Sequence, residues 1–253
     1  MCVILVRSPD LRSRYPSGHY RLWVNGIHHG DVSFNNLMYD ISAETNDPVG
    51  IVNDFDLATW VNHTTTNNDR TGTIPFMAID MLDGGLDRRA PRLYRHDLES
   101  FAWVLAYITI ANIEYKDCTI SISAPLGVSI WFKDDNTRDR NAHILSKRQF
   151  DSQYGIKQPV IQGYYDYLPP VHHIIKYWCN WHQSLQNTGY LQPRLPGIQS
   201  HVQEDPGPIK PEVDNPSHSL KLFLDGVEKS LVEDGLEKEF AKVKSLLLEA
   251  LTS

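Results

Sequence analysis

The stretch that organises this chain is His29-Gly30-Asp31-Val32-Ser33-Phe34-Asn35-Asn36-Leu37. It places one carboxylate, Asp31, five residues before one carboxamide, Asn36, with apolar residues around and between them. A second carboxylate, Asp54, follows eighteen residues later in Ile51-Val52-Asn53-Asp54-Phe55-Asp56. Three oxygen-bearing side chains at these intervals, each next to apolar residues, predict a shared site.

Phosphoryl transfer from ATP uses three groups of this kind. One carboxylate orients the accepting hydroxyl and takes its proton, a role that suits Asp31. An amide oxygen and a second carboxylate hold Mg²⁺ on the phosphates, which suits Asn36 and Asp54, because Mg²⁺ prefers hard oxygen ligands and keeps part of its water. Asn35 is the alternative amide, but the spacing favours Asn36. Taken singly, each residue also fits a plain turn or a strand end.

The pattern His-x-Asp-x-x-x-x-Asn followed by Asp-Phe-x resembles the catalytic and metal loops of eukaryotic protein kinases. Two later stretches are most similar to the fungal-type protein kinases. They are Arg70-Thr71-Gly72-Thr73-Ile74-Pro75-Phe76-Met77-Ala78-Ile79-Asp80 and Tyr94-Arg95-His96-Asp97-Leu98-Glu99-Ser100-Phe101. Four ordered motifs at plausible spacing are a specific signal, whereas one alone would be weak.

The resemblance spans about residues 20–190 and implies a mainly α fold. We expect a protein-kinase-like C-lobe, a helical bundle with a small β-hairpin that carries the catalytic and metal loops. The expected organisation is a C-lobe at 1–190, a Pro-rich linker or loop at 191–216, and a helical segment at 217–253. The resemblance also implies ATP and Mg²⁺ as cofactors, with Asp31 and Asn36 catalytic and with Asn36 and Asp54 at the metal and nucleotide.

The resemblance implies roles for four further residues. Thr73 approaches the substrate and the catalytic base, and His29 is a structural core histidine. Asp80 stands where kinases have the glutamate of Ala-Pro-Glu, so it forms an ion pair with an arginine elsewhere in the chain. Asp97 is either a helix N-cap or an acceptor for backbone N–H groups of the catalytic loop.

Three positions depart from the usual kinase pattern. Gly30 replaces the arginine of His-Arg-Asp, so control by a phosphate on the activation loop is not expected. Ser33 stands where serine/threonine kinases carry a lysine, and Asp56 replaces the glycine of Asp-Phe-Gly. Fungal-type kinases share the last two features. Both changes leave the expected phosphate site more negative.

The 28 residues before His29 hold no Gly-rich loop and no strand lysine of the kind that an N-lobe supplies. We therefore expect the N-lobe to be absent from these 253 residues, and ATP binding and phosphoryl transfer by them alone to be weak.

Local patterns predict the elements around these motifs. Leu22 to Gly26 reads as a helix end with a glycine stop, and 37–39 and 50–52 read as strands flanking a turn at Asp47-Pro48. Residues 59–70 are polar and match an exposed activation loop. Asp97–Ile110 is apolar nearly all round, which is typical of a buried helix. Helices are also expected at 136–151, 171–186 and 217–251.

Composition narrows the class of protein. A net charge of −7 and no Lys/Arg run argue against nucleic-acid binding. Three scattered cysteines argue against a disulfide framework or zinc site. The apolar run at the start is too short for a membrane span. We expect an intracellular protein of the cytoplasm or nucleus, with no membrane or nucleic-acid partner and an unknown protein substrate or partner.

Three functions remain open at this point. The first is a fungal-type serine/threonine kinase, of which this chain is a C-lobe. The second is a kinase-derived binding module without catalysis. The third is a small-molecule phosphotransferase of the aminoglycoside or choline kinase kind, whose His-Gly-Asp loop matches His29-Gly30-Asp31. The segment from Gly72 to Asp80 that leads into the 97–110 helix favours the first family over the third.

Overall fold

The computed structural model describes residues 18–43, 48–60, 72–82, 92–110, 112–113, 120–121, 139–156, 215–221 and 223–224. Within them, three antiparallel pairs of strands are formed: β1 (Ile27–His28) with β4 (Thr59–Trp60), β2 (Leu37–Ile41) with β3 (Pro48–Val52), and β5 (Asn112–Ile113) with β6 (Ile120–Ser121). Helices cover 18–24, Ile79–Leu82, Tyr94–Ile110, Arg140–Ile156 and 216–221.

The β2–β3 hairpin is confirmed, with Leu37 opposite Val52 and Ile41 opposite Pro48. Pro48 begins β3 and does not form the turn, which corrects the predicted boundary. One further hydrogen bond, from Asn53 N–H to the Asn36 carbonyl at 2.8 Å, extends the pairing beyond the strands. The hairpin thereby ties the segment after Asn36 to the segment before Asp54.

The 94–110 helix begins three residues earlier than predicted, at Tyr94. Apolar side chains of its first three turns are buried, among them Leu98, Phe101 and Val104. Polar residues of the same turns are buried too: Arg95, His96, Asp97, Glu99 and Ser100. A buried polar group is unfavourable without a hydrogen-bond partner, so this helix end must be surrounded by matching groups.

The Arg140–Ile156 helix was predicted over 136–151, so it starts and ends later than expected. It contacts the Ile79–Leu82 helix and the 3₁₀ turn Ile74–Phe76. Among its described side chains, at 140–148, the buried ones are mostly polar, with His143, Ser146 and Lys147 beside Ile144. The helix therefore covers the segment at 74–82 with side chains that hydropathy would assign to solvent.

Two helical segments from opposite ends of the chain meet. The helix at 18–24 ends before Gly26, whose φ of 84° confirms the glycine stop. The Tyr20 hydroxyl lies 2.5 Å from the Ser217 hydroxyl, and Leu220 is fully buried. Residues 216–221 thus pack with the segment that precedes the catalytic loop.

Several predictions lie outside the described residues. They concern the segment 1–17, the helix at 171–186, nearly all of the linker at 191–216 and the tail beyond 224. The loop predicted at 59–70 also lies outside the described residues, except for Thr59–Trp60, which form β4 instead of loop. The C-lobe fold as a whole and the division at 190 and 216 stay predictions. Among the helices that are described, none is long and apolar enough to cross a membrane.

Candidate active site

Asp31 and Asn36 are bonded to each other across a short turn. The Asn36 Nδ2 donates to the Asp31 carbonyl oxygen at 2.9 Å and to Asp31 Oδ2 at 3.2 Å. The turn between them is the 3₁₀ helix Phe34–Asn36, closed by a hydrogen bond from Asn36 N–H to the Ser33 carbonyl. The five-residue spacing therefore corresponds to a direct contact, in which Asn36 braces Asp31.

The second oxygen of Asp31 is held by a distant part of the chain. The Thr73 N–H donates to Asp31 Oδ1 at 2.7 Å, across 42 positions of sequence. A hydrogen bond to a carboxylate is stronger than one between neutral groups. Asp31 is thus oriented from both sides, with lone pairs still free to accept a proton. The predicted approach of Thr73 to Asp31 is confirmed.

His29 joins the loop of Asp31 to the loop of Asp54. Its Nδ1 accepts from the Asp31 N–H at 3.2 Å, so its Nε2 carries the proton and donates to the Asn53 carbonyl at 2.9 Å. Its ring meets the Phe55 ring edge to face, with centroids 4.8 Å apart. Burial lowers the pKa of His29 and favours this neutral form. A structural role for His29 is confirmed.

Asp54 is exposed and has a φ of 66°, in the left-handed region. Aspartate tolerates this region better than most residues, but it is still uncommon and motivates a functional hypothesis. Asp54 Oδ1 accepts a long hydrogen bond of 3.4 Å from the Asp56 N–H. The neighbours of Asp54, Asn53 and Phe55, are the residues that contact the Asp31 loop.

Gly30 is required by its surroundings. Its φ is 86°, and a Cβ there would lie 2.6 Å from the Leu57 carbonyl oxygen. An arginine, or any other side chain, would force the 54–58 loop away from the catalytic loop. The departure from His-Arg-Asp therefore has a packing cause in this chain. It gives no independent reason to prefer a small-molecule phosphotransferase.

The partner of Asp80 is Arg95, fifteen residues later. The Arg95 Nη2 lies 2.6 Å from Asp80 Oδ2, and His96 Nε2 lies 3.6 Å from the same oxygen. Burial alone would raise the pKa of Asp80, but His96 and Arg95 outweigh it and hold that pKa well below its usual range. The expected structural ion pair of Asp80 is confirmed.

Asp97 is held by side chains at a buried centre. Arg92 donates to Asp97 Oδ1 through Nε at 2.9 Å and Nη2 at 2.8 Å. The His19 Nε2 is 2.8 Å from Oδ2, without the alignment of a regular hydrogen bond. Because the helix begins at Tyr94, Asp97 lies in its first turn and not at the N-cap, so that interpretation was wrong. Its described partners are side chains, in place of the backbone of the catalytic loop.

The residues present fit a magnesium ion in their donor chemistry. Asn36 uses Nδ2 for both bonds to Asp31, which leaves its Oδ1 as a ligand, and Asp54 offers an exposed carboxylate. Two oxygen ligands suit an ion that retains several waters. Within the described part of the chain, no cluster of three or more His, Cys, Asp or Glu residues forms a metal site.

Sequence reasoning missed three buried basic side chains, His19, Arg95 and Lys147, and the partly buried Arg92. Arg95 stood in a quoted motif, but the residue it faces lies on another segment. Lys147 lies on a helix whose hydropathy indicates solvent, so no local signal distinguishes it from an exposed lysine. The need for basic side chains could have been inferred only from the buried surroundings of the carboxylates of Asp80, Asp97 and Glu99.

No curated protein and no solved structure matches the chain significantly. The family model described as fungal protein kinase matches residues 17–109. That segment contains Asp31, Asn36, Asp54 and Thr73, and it runs through most of the 94–110 helix. Over residues 17–109, therefore, this chain is similar to the fungal protein kinases, and the resemblance indicated by its motifs is confirmed.

Proposed function

We propose that residues 17–109 supply the catalytic base and the metal side of a protein-kinase-like site. The reaction is transfer of the γ-phosphoryl group of ATP to a serine or threonine hydroxyl of a protein. The observation that carries the proposal is the Asp31 carboxylate, held between Asn36 Nδ2 at 3.2 Å and Thr73 N–H at 2.7 Å. Catalysis that depends on positioning requires a base whose carboxylate is held in a fixed orientation.

In the transfer, Asp31 accepts the proton of the hydroxyl as its oxygen forms the new bond to phosphorus. The bond between that phosphorus and ADP breaks, and ADP leaves. Asn36 keeps Asp31 in place through Nδ2 and offers Oδ1 toward the metal together with Asp54. Mg²⁺, when bound, neutralises phosphate charge. Ser33 is buried and uncharged, so it adds nothing to that neutralisation.

The 253 residues by themselves are expected to bind ATP weakly and to transfer phosphate at or near background. They contain no Gly-rich loop over the phosphates and no strand lysine. Asp54 and Asp56 place two carboxylates beside the expected polyanionic nucleotide, and magnesium offsets only part of that charge.

The test is phosphate transfer from radiolabelled ATP to a generic protein substrate. It compares the 253-residue chain with the same chain joined at its N-terminus to a protein-kinase N-lobe. The extended protein should transfer phosphate to serine or threonine, and Asp31→Ala or Asp54→Ala should abolish the transfer. Asp40→Ala is the matched control, because Asp40 is an exposed carboxylate on the hairpin that joins Asn36 to Asp54.

Two results would contradict the proposal. Transfer by the extended protein that survives Asp31→Ala would remove Asp31 as the base. Strong Asp31-dependent transfer by the 253 residues alone would show that the N-lobe groups are dispensable.

A binding module without catalysis is the second candidate. It is favoured by exposed apolar side chains near the site: Met38 and Ile51, which face each other across the hairpin, and Phe55, Leu57 and Trp60. Exposed apolar side chains of this kind are suited to contact with another protein surface. In this case, substitution of Met38 and Ile51 by serine would abolish association with a partner, and Asp31→Ala would not.

A further inference from the structure

The backbone of the segment after Thr73 is hydrogen-bonded by buried charged side chains from two different helices. Lys147, on the 140–156 helix, donates from Nζ to the Met77 carbonyl oxygen. Glu99, on the 94–110 helix, accepts the Ile79 N–H at 2.8 Å. Both side chains are almost fully buried, although Lys and Glu are among the residues least often found inside proteins.

Trp103 connects the two charged residues. Its Nε1–H donates to Glu99 Oε1 at 3.0 Å, and the Lys147 Nζ lies 4.8 Å from the centroid of its ring. Burial lowers the pKa of Lys147 to about 7, against the attraction of the Glu99 carboxylate. Buried charged groups are weak support for stability, because apolar residues of similar volume often do as well. The role of Lys147 and Glu99 here is that each bonds one specific backbone group, the Met77 carbonyl and the Ile79 N–H.

The backbone at Met77 is connected to the candidate base, Asp31, through hydrogen bonds of Thr73. The Thr73 carbonyl accepts the Phe76 N–H at 2.9 Å and the Met77 N–H at 3.2 Å, which closes the 3₁₀ turn. The N–H of the same Thr73 donates to Asp31 Oδ1. A second route is steric, since a Cβ on Gly72 would stand 3.3 Å from the Met77 side chain and 3.2 Å from the Gly30 carbonyl.

We propose that Lys147 and Glu99 are positioning residues for the catalytic base. They fix the backbone of Met77 and Ile79 by hydrogen bonds, and this fixes the turn at 73–77. The turn then keeps the Thr73 N–H in its hydrogen bond to Asp31. The inference rests on the proposed function, in which Asp31 is that base. It assigns to the 140–156 helix, which lies outside the matched segment 17–109, a part in preparing the site.

The test is amide hydrogen exchange of the full chain, read residue by residue, because the Thr73 amide reports its bond to Asp31 without any phosphate transfer. Lys147→Met keeps the side-chain length and removes the donor. We expect the Thr73 amide to exchange at least tenfold faster, while amides at 101–104 in the 94–110 helix keep their rates. Asp31→Ala is the reference for complete loss of the Thr73 bond.

Lys221→Met is the matched control, since Lys221 is an exposed lysine on another helix and its loss should leave Thr73 unchanged. A uniform increase over all amides, or unchanged protection of Thr73, in Lys147→Met would overturn the proposal. These outcomes do not depend on whether the protein transfers phosphate, so failure of this inference and failure of the proposed function are distinguishable.

If Lys147→Met does not fold, two variants of Glu99 are compared by the same hydrogen-exchange measurement. Glu99→Gln keeps an oxygen acceptor for the Ile79 N–H and Trp103 Nε1–H, whereas Glu99→Leu keeps only the volume. Faster exchange at Ile79 and Thr73 in the leucine variant, with rescue in the glutamine variant, supports the proposal. Equal rates in the two variants overturn it.

Discussion

Gly30 lies so close to Leu57 that a Cβ on residue 30 would stand 2.6 Å from the Leu57 carbonyl oxygen. The Leu57 carbonyl is a backbone group, so it cannot move aside as the end of a flexible side chain can. The φ of 86° at residue 30 adds strain for any residue other than glycine. The contact joins the catalytic loop to the segment after Asp54. It gives glycine a packing reason at the position where the resembled kinases carry an arginine.

The first prediction follows from that contact. Gly30→Ala and Gly30→Arg should each lower the free energy of unfolding by about 1–3 kcal/mol, because strain and overlap act together. Urea unfolding measures this loss. Gly18→Ala is the control, since Gly18 is helical with open space around it and should be neutral or gain up to about 1 kcal/mol. Gly30→Arg with unchanged stability would contradict the packing argument.

The second prediction concerns acid. Asp80 has a depressed pKa beside Arg95, so its stabilising effect is present above the unfolded pKa of about 4 and is lost as pH falls below it. Burial also lowers the pKa of His96 to about 4, so stability begins to fall from about pH 6.5, where an unfolded histidine takes up its proton.

Asp80→Asn should lower the free energy of unfolding at pH 7 by about 3 kcal/mol, because the buried Arg95 loses its ion-pair partner. It should also flatten the decline of that free energy between pH 4 and pH 2. Urea unfolding at pH 7, 4 and 2 measures both effects, with the exposed Asp40→Asn as control. An acid decline identical to that of the native chain would show that Asp80 is not responsible.

The third prediction concerns alkali. The folded pKa of Lys147 is about 7, lowered by burial, and an unfolded lysine titrates near 10.4. Between these values the unfolded chain binds the extra proton, so stability rises with pH, on the order of 2–3 kcal/mol from pH 7 to pH 9. Lys147→Met should remove this rise and Lys221→Met should keep it. The measurement is the difference in unfolding free energy between each variant and the native chain.

The fourth prediction concerns the tail. Ser217 contacts Tyr20, and Leu220, Phe223 and Leu224 are buried, so removing 217–253 should expose apolar surface. We expect lower solubility and a lower melting temperature. The single change Leu220→Ala should cost about 2–5 kcal/mol, and Lys221→Ala should be nearly neutral. An unchanged melting temperature after the deletion would show that the tail does not pack here.

The sequence by itself determined the local geometry. Five residues separate Asp31 from Asn36, a spacing that a single turn closes into a hydrogen bond. The two strands at 37–39 and 50–52 and the 97–110 helix were predicted from local sequence patterns, which act over a few residues, and the hairpin itself from the resemblance. Their boundaries shifted, at Pro48 and Tyr94, because pairing and packing decide where an element begins.

Only the tertiary structure decided which distant residues meet. The Thr73 N–H reaches Asp31 across 42 positions, and Asp80 finds Arg95, because separate segments pack at one place. Hydropathy also assigns Lys147 to solvent, yet the fold buries it against Met77 and Trp103. Periodicity shows which face of a helix is apolar. It does not encode which backbone group a buried charge will bind, because that depends on where two helices approach.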